Sequence, residues 1–301
     1  MESHRYVTYE TLDDGAIARI TLNRPRARNA QNRGLLVELN DLFLAAEADD
    51  TVRVVILRGA GPIFSAGHDM GSAELQEEWN PGPAQHPTRH VNGGTRPAAE
   101  GRTLQEWHYF FRNTLRWRDL RKITIAEAHG KVYAAGLMLA WACDLIVAAE
   151  DTEFADVVGT RLGMCGVEYF GHPWEFGPRK AKELLLTGDS IDAEEAYRLG
   201  MVSKVFPAAD LERRTLEFAR RIARVDTMAA LMIKESVNQT VDNMGFYNAL
   251  NACFTIHELN HSHWAERTGG YPVGTAELGV TPWDQAPPVR RARMGEAGAS
   301  A

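Results

Sequence analysis

Hydrophobic and polar residues alternate along the first part of the chain and then change to a helical spacing. The alternation in Val7–Leu12 and Ala16–Leu22, on either side of Asp13-Asp14-Gly15, predicts two strands joined by a turn. From Gln31 to Ala48 the apolar residues recur at helical intervals, and Val52 to Arg58 is a β-branched run typical of a buried strand. Residues 80–101 are rich in Pro and Gly, which predicts a long, lid-like loop.

Strand and helix patterns keep alternating through the middle of the chain. An aromatic-rich helix is predicted over Leu104–Leu120, then a strand over Ile123–Ala128, a helix over Ala135–Cys143 and a strand over Asp144–Ala149. This alternation indicates an α/β fold. Strand patterns stop after Val202–Phe206, and the chain beyond is helical. The predicted organisation is an α/β core over residues 1–206, a helical C-terminal subdomain over residues 207–268, and an extended or disordered tail over residues 269–301.

Composition and charge exclude several classes of protein. The 301 residues carry a net charge of −7, which argues against nucleic acid as the main partner. The apolar stretch from Ile123 to Ala149 is interrupted by charged residues, so no membrane span is expected. Three widely spaced cysteines without a disulfide or metal pattern suit a reducing cytoplasm. His86 and His90 have no third ligand at metal spacing, so no metal site is predicted.

Two short segments place small residues directly after a predicted strand. They are Gly61-Pro62-Ile63-Phe64-Ser65-Ala66-Gly67-His68-Asp69-Met70 and His129-Gly130-Lys131-Val132-Tyr133-Ala134-Ala135-Gly136-Leu137. Small residues allow a ligand to approach backbone N–H groups closely. Two such turns that converge in space would form an oxyanion hole, which polarises one carbonyl oxygen.

These segments, in this order, resemble the crotonase superfamily, also called the enoyl-CoA hydratase/isomerase family. Three further blocks are similar to the family pattern: Ile20–Pro25 with Asn29-Ala30, Leu185–Asp189 with Ala193–Ala196, and Gly200–Val205. The resemblance covers about residues 6–245. It implies a spiral of ββα units, with a helical C-terminal region that builds homotrimers or hexamers. It also implies a substrate that is a coenzyme A thioester, with no separate cofactor.

The resemblance assigns site residues by position. The oxyanion hole would be formed by the backbone N–H groups of His68 and Ala135, and the helix that begins at Ala135 would direct its positive end at the thioester oxygen. Ala66 would lie against the CoA adenine. The candidates for binding the CoA phosphates, since guanidinium groups fit phosphate, are Arg24, Arg26 and Arg28. The alternative for these arginines is a solvated loop.

The chain departs from the family at the two glutamates with which hydratases activate water. Met138 and Val158 stand in those positions, and neither can transfer a proton. Dienoyl-CoA isomerases and a dehalogenase of this family place an acid farther along the same loop, near Glu168 here. An apolar setting is expected to raise the pKa of Glu168 and suit it to acid–base chemistry. The alternatives are an ion pair with Arg161 or Arg179, or a solvent-facing carboxylate.

Two other polar residues have open roles. Asp156 lies in the same loop, where it is either a second catalytic acid or a cap of the next turn. The side chain of His68 either takes part in the chemistry or lines the site.

Two functions are consistent with these residues. The first is an acyl-CoA enzyme that proceeds through a thioester enolate, by isomerisation, C–C cleavage, hydrolysis or hydration with an atypical acid, and Glu168 is its expected proton shuttle. The second is a binding protein of lipid metabolism that holds acyl-CoA without turnover. The intact glycine-rich segments favour the enzyme. The acyl group, the reaction and the number of subunits do not follow from the sequence.

Overall fold

The computed structural model describes residues 4–79, 99–268 and 289–291. Most of the predicted loop at 80–101 and most of the predicted tail at 269–301 lie outside these residues, as do His86 and His90.

The core of the described chain is a six-stranded sheet in the order β1-β2-β3-β4-β6-β9. The predicted hairpin is confirmed, because β1 and β2 pair antiparallel, and every other pair in this sheet is parallel. The strands are β1 (Val7–Leu12), β2 (Ile17–Leu22), β3 (Val54–Gly59), β4 (Ile123–Ala128), β6 (Leu145–Ala149) and β9 (Lys204–Phe206).

A second, three-stranded sheet has the order β5-β7-β8, where β5 is Lys131–Tyr133, β7 is Glu153–Ala155 and β8 is Ile191–Asp192. β5 and β7 pair in parallel, and β8 joins β7 antiparallel. Arg291 from the predicted tail forms a bridge with Ser190 beside this sheet. The sheet positions the start of the helix that begins at Ala135.

Helices surround both sheets. The α-helices occupy Arg33–Ala48, Ala73–Trp79, Ala99–Gln105, Asn113–Arg118, Ala135–Trp141, Val158–Leu162, His172–Phe176, Pro178–Thr187, Ala193–Leu199, Leu211–Ala223, Thr227–Asn243 and Phe246–Thr268. Short 3₁₀ turns lie at Pro25–Ala27 and Ala208–Asp210. The single helix predicted over Leu104–Leu120 contains a π-helical segment, Glu106–Arg112, between two α-helical parts.

Strand alternation explains the two faces of the large sheet. In β3, Val55 and Leu57 enter the main hydrophobic core, whereas Val54 and Ile56 face the helix Leu211–Ala223 on the other side. Because both faces are covered, the parallel strands read as nearly continuous apolar runs.

The long helix Phe246–Thr268 packs back onto the main core through Phe246, Leu250 and Phe254. The same face continues with His257, His261 and Trp264, all of which are buried. This packing carries polar residues of the C-terminal helical region into the neighbourhood of the α/β core. In the described residues, no helix is both long and apolar enough to cross a membrane.

Candidate active site

The first glycine-rich turn is held by the buried side chain of Asn29. Its amide nitrogen lies 2.8, 2.9 and 3.1 Å from the carbonyl oxygens of Ala60, Ile63 and Phe64, and donates to them. The N–H of Ala66 donates to the carbonyl of Arg28 over 3.0 Å. The turn after β3 is therefore fixed by side-chain and backbone hydrogen bonds before any ligand binds.

The two glycine-rich segments meet. The N–H of Ser65 donates to Lys131, and the N–H of Tyr133 donates back to Ser65. A Cβ on Gly67 would lie 3.0 Å from the backbone nitrogen of Ala135, and a Cβ on Gly136 would lie 2.6 Å from the carbonyl oxygen of Ser65. Only glycine permits this approach of the two chains.

This contact places Ala135 beside the turn that ends in His68. Ala135 is the first residue of the helix Ala135–Trp141, so its N–H has no acceptor within that helix and points out of the N-terminus. Ala134, the preceding residue, has φ of 48° and ψ of −123°, a conformation that favours glycine. The two residues whose N–H groups the family resemblance assigns to an oxyanion hole therefore lie on adjoining segments, since Gly67, which precedes His68, abuts the nitrogen of Ala135.

The side chain of His68 is hydrogen-bonded to Glu168. Nε2 of His68 lies 3.0 Å from Oε2 of Glu168, and the imidazole stacks on the ring of Phe110 at 3.7 Å between centroids. Glu168 is 4% exposed. The alternatives considered from the sequence were an ion pair with Arg161 or Arg179, or a solvent-facing carboxylate. The structure shows neither, because Glu168 is buried against His68.

The direction of the pKa of Glu168 differs from the one expected. Burial by itself raises this pKa, but the neighbouring His68 and His257 outweigh burial and hold it below its ordinary value. Glu168 is therefore a carboxylate at neutral pH, and so a proton acceptor.

Three further buried residues extend this pair. Nε2 of His257 lies 3.7 Å from Oε1 of Glu168 and 3.5 Å from Oε2 of Glu106. Nε2 of His261 lies 3.1 Å from the same oxygen of Glu106. None of the three was predicted from the sequence, which assigned the two histidines to a C-terminal helical region that builds subunit contacts. Two histidines four positions apart on the apolar face of one helix were the available signal.

Charges within this cluster shift several pKa values. Burial by itself lowers the pKa of His257, but contacts with Cys165 and Glu106 and the charge of Glu168 raise it to about 11. The two histidines also hold the pKa of Glu106 below its usual range against the effect of burial. The pKa of Glu258 is instead raised to about 7, because this carboxyl group is partly buried and lies beside Glu106.

The contacts of Asp156 are those of a structural residue. Its carboxylate accepts hydrogen bonds from the N–H groups of Val158 and Val167, over 3.0 and 3.1 Å, and lies 2.9 Å from Nε2 of His172. These bonds tie both ends of the loop that leads to Glu168. They give no support to a catalytic role for Asp156.

The two positions where hydratases have glutamates are apolar in three dimensions as well. Met138 is buried in the helix Ala135–Trp141, and the partly buried Val158 packs against the main core. No carboxylate stands at either position.

The three arginines considered for phosphate binding differ in their surroundings. Arg24 is buried and forms an ion pair with Asp69 at 2.8 Å and with Glu74 at 3.3 Å. Arg26 is exposed and, with Arg5 and Arg24, lines a cleft of about 520 Å³. Arg28 is exposed on the same segment. Phosphate binding by Arg24 would have to compete with its two carboxylates, whereas Arg26 and Arg28 are accessible.

An α/β core in which two glycine-containing turns meet at the N-terminus of a short helix defines the crotonase class of folds. The chain belongs to the enoyl-CoA hydratase/isomerase family, whose sequence model matches residues 13–89 and 96–269. It is 69% identical over 288 residues, 95% of this chain and 91% of the relative, to EchA13 of Mycobacterium tuberculosis, which is named provisionally as an enoyl-CoA hydratase.

Another relative is named for a different reaction, and solved structures share the fold. The chain is 30% identical over 273 residues to 4-chlorobenzoyl coenzyme A dehalogenase-2 of an Arthrobacter species, covering 88% of this chain and 90% of the relative. Among solved structures, a probable enoyl-CoA hydratase from Mycobacterium thermoresistibile is 40% identical with a TM-score of 0.78, over 89% of this chain and 98% of that one.

Proposed function

We propose that this protein is an acyl-CoA isomerase that shifts a double bond by moving one proton through a thioester enolate. Its base is Glu168, and the N–H groups of His68 and Ala135 hold the enolate oxygen. The observation that carries the proposal is the 3.0 Å contact between Glu168 and the imidazole of His68. The residue that contributes half of the oxyanion hole through its backbone thus also orients the base through its side chain.

The chemistry requires one group that accepts and returns a proton. Glu168 removes a proton from the acyl chain, and the electron pair moves to the thioester oxygen to form an enolate conjugated with the existing double bond. The two backbone N–H groups and the N-terminus of the helix Ala135–Trp141 stabilise the negative charge. The protonated Glu168 then returns its proton at the other end of the conjugated system, which shifts the double bond.

Isomerisation fits these residues better than hydration. Hydration by the family's usual route needs two carboxylates on one water, and Met138 and Val158 occupy those positions. A single carboxylate suffices for a proton transfer within one molecule. The similarity to a dehalogenase supports the view that this fold carries other reactions when the hydratase acids are replaced.

The substrate in this proposal is a CoA thioester, with no separate cofactor. Arg26 and Arg28 are exposed next to the turn that Ala66 joins, where they can meet the CoA phosphates and the adenine. Phe110 stacks on His68, so an aromatic wall borders the acyl site. This wall favours a bulky or unsaturated acyl group.

A homotrimer or hexamer is part of the same proposal. The helix Thr227–Asn243 exposes a set of large apolar side chains at helical spacing, Met228, Met232, Ile233 and Val237. Exposed apolar faces of this kind mark contacts between subunits. Light scattering coupled to gel filtration would give the number of chains.

The test uses Glu168→Gln beside the unchanged protein and a matched control, Glu183→Gln, in an exposed region. Each is incubated with 2-enoyl- and 3-enoyl-CoA thioesters in D₂O, and products are analysed by mass spectrometry. We expect the unchanged protein and Glu183→Gln to isomerise the substrate with deuterium uptake. In Glu168→Gln the rate of isomerisation should fall by about 10²–10⁴-fold. CoA binding measured by calorimetry should survive.

Two outcomes would contradict the proposal. Unchanged turnover in Glu168→Gln would exclude this residue as the base. Binding of every CoA ester without turnover in the unchanged protein would favour the binding-protein alternative.

A further inference from the structure

We propose that Glu106, His257 and His261 bind one divalent transition-metal ion of the zinc type, in the wall behind Glu168. The ligand atoms are a carboxylate oxygen of Glu106 and Nε2 of each histidine. This site is separate from the oxyanion hole, and its existence does not depend on which reaction the protein catalyses.

The distances between the ligand atoms fit a metal. The Glu106 oxygen lies 3.5 Å from Nε2 of His257 and 3.1 Å from Nε2 of His261. Ligands that each lie about 2.0–2.1 Å from a tetrahedral ion are about 3.3 Å apart. All three ligand atoms lie within 4.8 Å of one another. The two distances to the Glu106 oxygen therefore already match those between ligands of one ion.

These three residues are buried, so their polar groups are not solvated and need partners within the protein or a bound ligand. Glu106, His257 and His261 are 2%, 3% and 4% exposed. Both ring nitrogens of His257 are buried and make no hydrogen bond of regular geometry, although Nε2 faces two carboxylates. A buried polar group of this kind is stabilised by a ligand that satisfies it.

The sequence around the histidines has the spacing of a known metal motif. His257-Glu258-Leu259-Asn260-His261 reads H-E-x-x-H within the helix Phe246–Thr268, which places both imidazoles on one face. Glu106 supplies the third ligand from the π-helical segment. Irregular helices of this type often occur at functional sites.

Glu258 holds the site from outside rather than binding the ion. Its Oε2 accepts a hydrogen bond of 2.6 Å from the hydroxyl of Thr103, and its carboxyl group lies beside Glu106. Charged groups that lie just outside the ligands in this way tune metal affinity.

The charges of the cluster also balance around a dication. With both histidines neutral, the ion and Glu106 carry a net single positive charge, which the nearby Glu168 neutralises. Oε1 of Glu168 lies 3.7 Å from Nε2 of His257, so the site borders the proposed base. Histidine binds such an ion through a neutral ring nitrogen, so binding is expected to weaken as the pH falls.

The experiment uses the full-length chain without a histidine tag, treated with a chelator and dialysed. Zn²⁺ and Co²⁺ are titrated by calorimetry, and the Co²⁺ absorption spectrum is recorded. We expect one ion per chain, a visible Co²⁺ spectrum without a cysteine thiolate charge-transfer band, and a higher Tm in the presence of metal. Glu106→Gln, His257→Gln and His261→Gln should each weaken binding at least tenfold.

The matched control is His263→Gln, which removes an exposed histidine from the same helix and should leave binding unchanged. Circular dichroism of each variant separates loss of binding from loss of folding. The Co²⁺ spectrum of the unchanged protein tests the proposal even where a variant does not fold. Absence of stoichiometric binding, a thiolate band, or binding that His261→Gln leaves intact would overturn it.

Discussion

His68 and Glu168 are 100 positions apart in the sequence, yet Nε2 of the histidine lies 3.0 Å from Oε2 of the glutamate. The histidine arrives on the turn after β3, whereas the glutamate arrives on the loop that Asp156 ties down. The pair connects the turn proposed to supply half of the oxyanion hole to the carboxylate proposed to move the proton. We therefore expect the side chains of His68 and Glu168 to act as one unit in proton transfer.

Replacing His68 by Ala should lower kcat by about 10–100-fold and change KM little, because the backbone N–H of the hole remains while Glu168 loses its orienting partner. The double variant with Glu168→Gln should lose scarcely more than Glu168→Gln alone, since both changes break one unit. Steady-state kinetics of the three variants tests this. Multiplied losses in the double variant would show that the residues act independently.

Gly67→Ala should close the oxyanion hole. Gly67 has a φ of +98°, and its added Cβ would lie 2.9 Å from Cβ of Ala134 and 3.0 Å from the nitrogen of Ala135. We expect activity to fall by at least tenfold and the free energy of unfolding to fall by about 1–3 kcal/mol. Gly71→Ala is the control, because nothing lies within 4 Å of its Cβ. Equal effects of the two substitutions would refute the steric argument.

Ala134→Gly should stabilise the protein, which is the reverse of the usual effect of glycine. Ala134 has a positive φ of 48°, where the methyl group is strained. Release of this strain should raise the free energy of unfolding by up to about 1 kcal/mol, after allowing for the greater freedom of glycine in the unfolded chain. Ala45→Gly, at an exposed position of the helix Arg33–Ala48, should instead cost about 0.5–1 kcal/mol. Thermal unfolding should show a gain of stability in Ala134→Gly and a loss in Ala45→Gly. A loss of stability in both variants would contradict the strain at Ala134.

The stability contributed by Asp69 should depend on pH. Burial by itself raises its pKa, but hydrogen bonds from Ser72 and Arg24 outweigh burial and place it below the ordinary value. A carboxylate whose pKa is lowered by folding stabilises the protein above its unfolded pKa of about 4, and this contribution is lost as the pH falls further. Asp69→Asn should therefore reduce stability by about 1–3 kcal/mol at pH 7 and by less at pH 3.

Urea unfolding at several pH values between 7 and 3 measures this difference. Asp41→Asn, at an exposed position, is the control and should show no such trend. A gap between the unchanged protein and Asp69→Asn that stays constant across this range would refute the assignment.

Local patterns predicted much of the fold. The hairpin of β1 and β2, the buried strand β3 and the helix starting at Ala135 follow from alternation and helical spacing, because each signal lies within a few residues. The two glycine-rich segments also predicted where backbone groups come close together. These features depend on short-range sterics, which the sequence states directly.

The buried polar cluster around Glu106 could not be predicted from local sequence patterns. Glu106, Glu168 and His257 come from three separate elements, and only packing brings their side chains within 4 Å. The pKa of Glu168 was expected to rise because burial was visible in the apolar pattern, whereas its two histidine neighbours were not. Charge partners distant in sequence therefore decided both the site and the direction of the shift.

The π-helical segment Glu106–Arg112 makes the position of Glu106 depend on one additional residue in the helix. The N–H of Asn113 reaches the carbonyl of His108, five residues back, so this turn holds one residue more than a regular α-helix. Deleting a single residue here would restore α-helical register and rotate the preceding residues by about 100° about the axis. Glu106 would then turn away from His257 and His261 while both glycine-rich turns stayed in place. A deletion of one residue is thus expected to separate the buried polar cluster from the rest of the fold, removing the first while keeping the second.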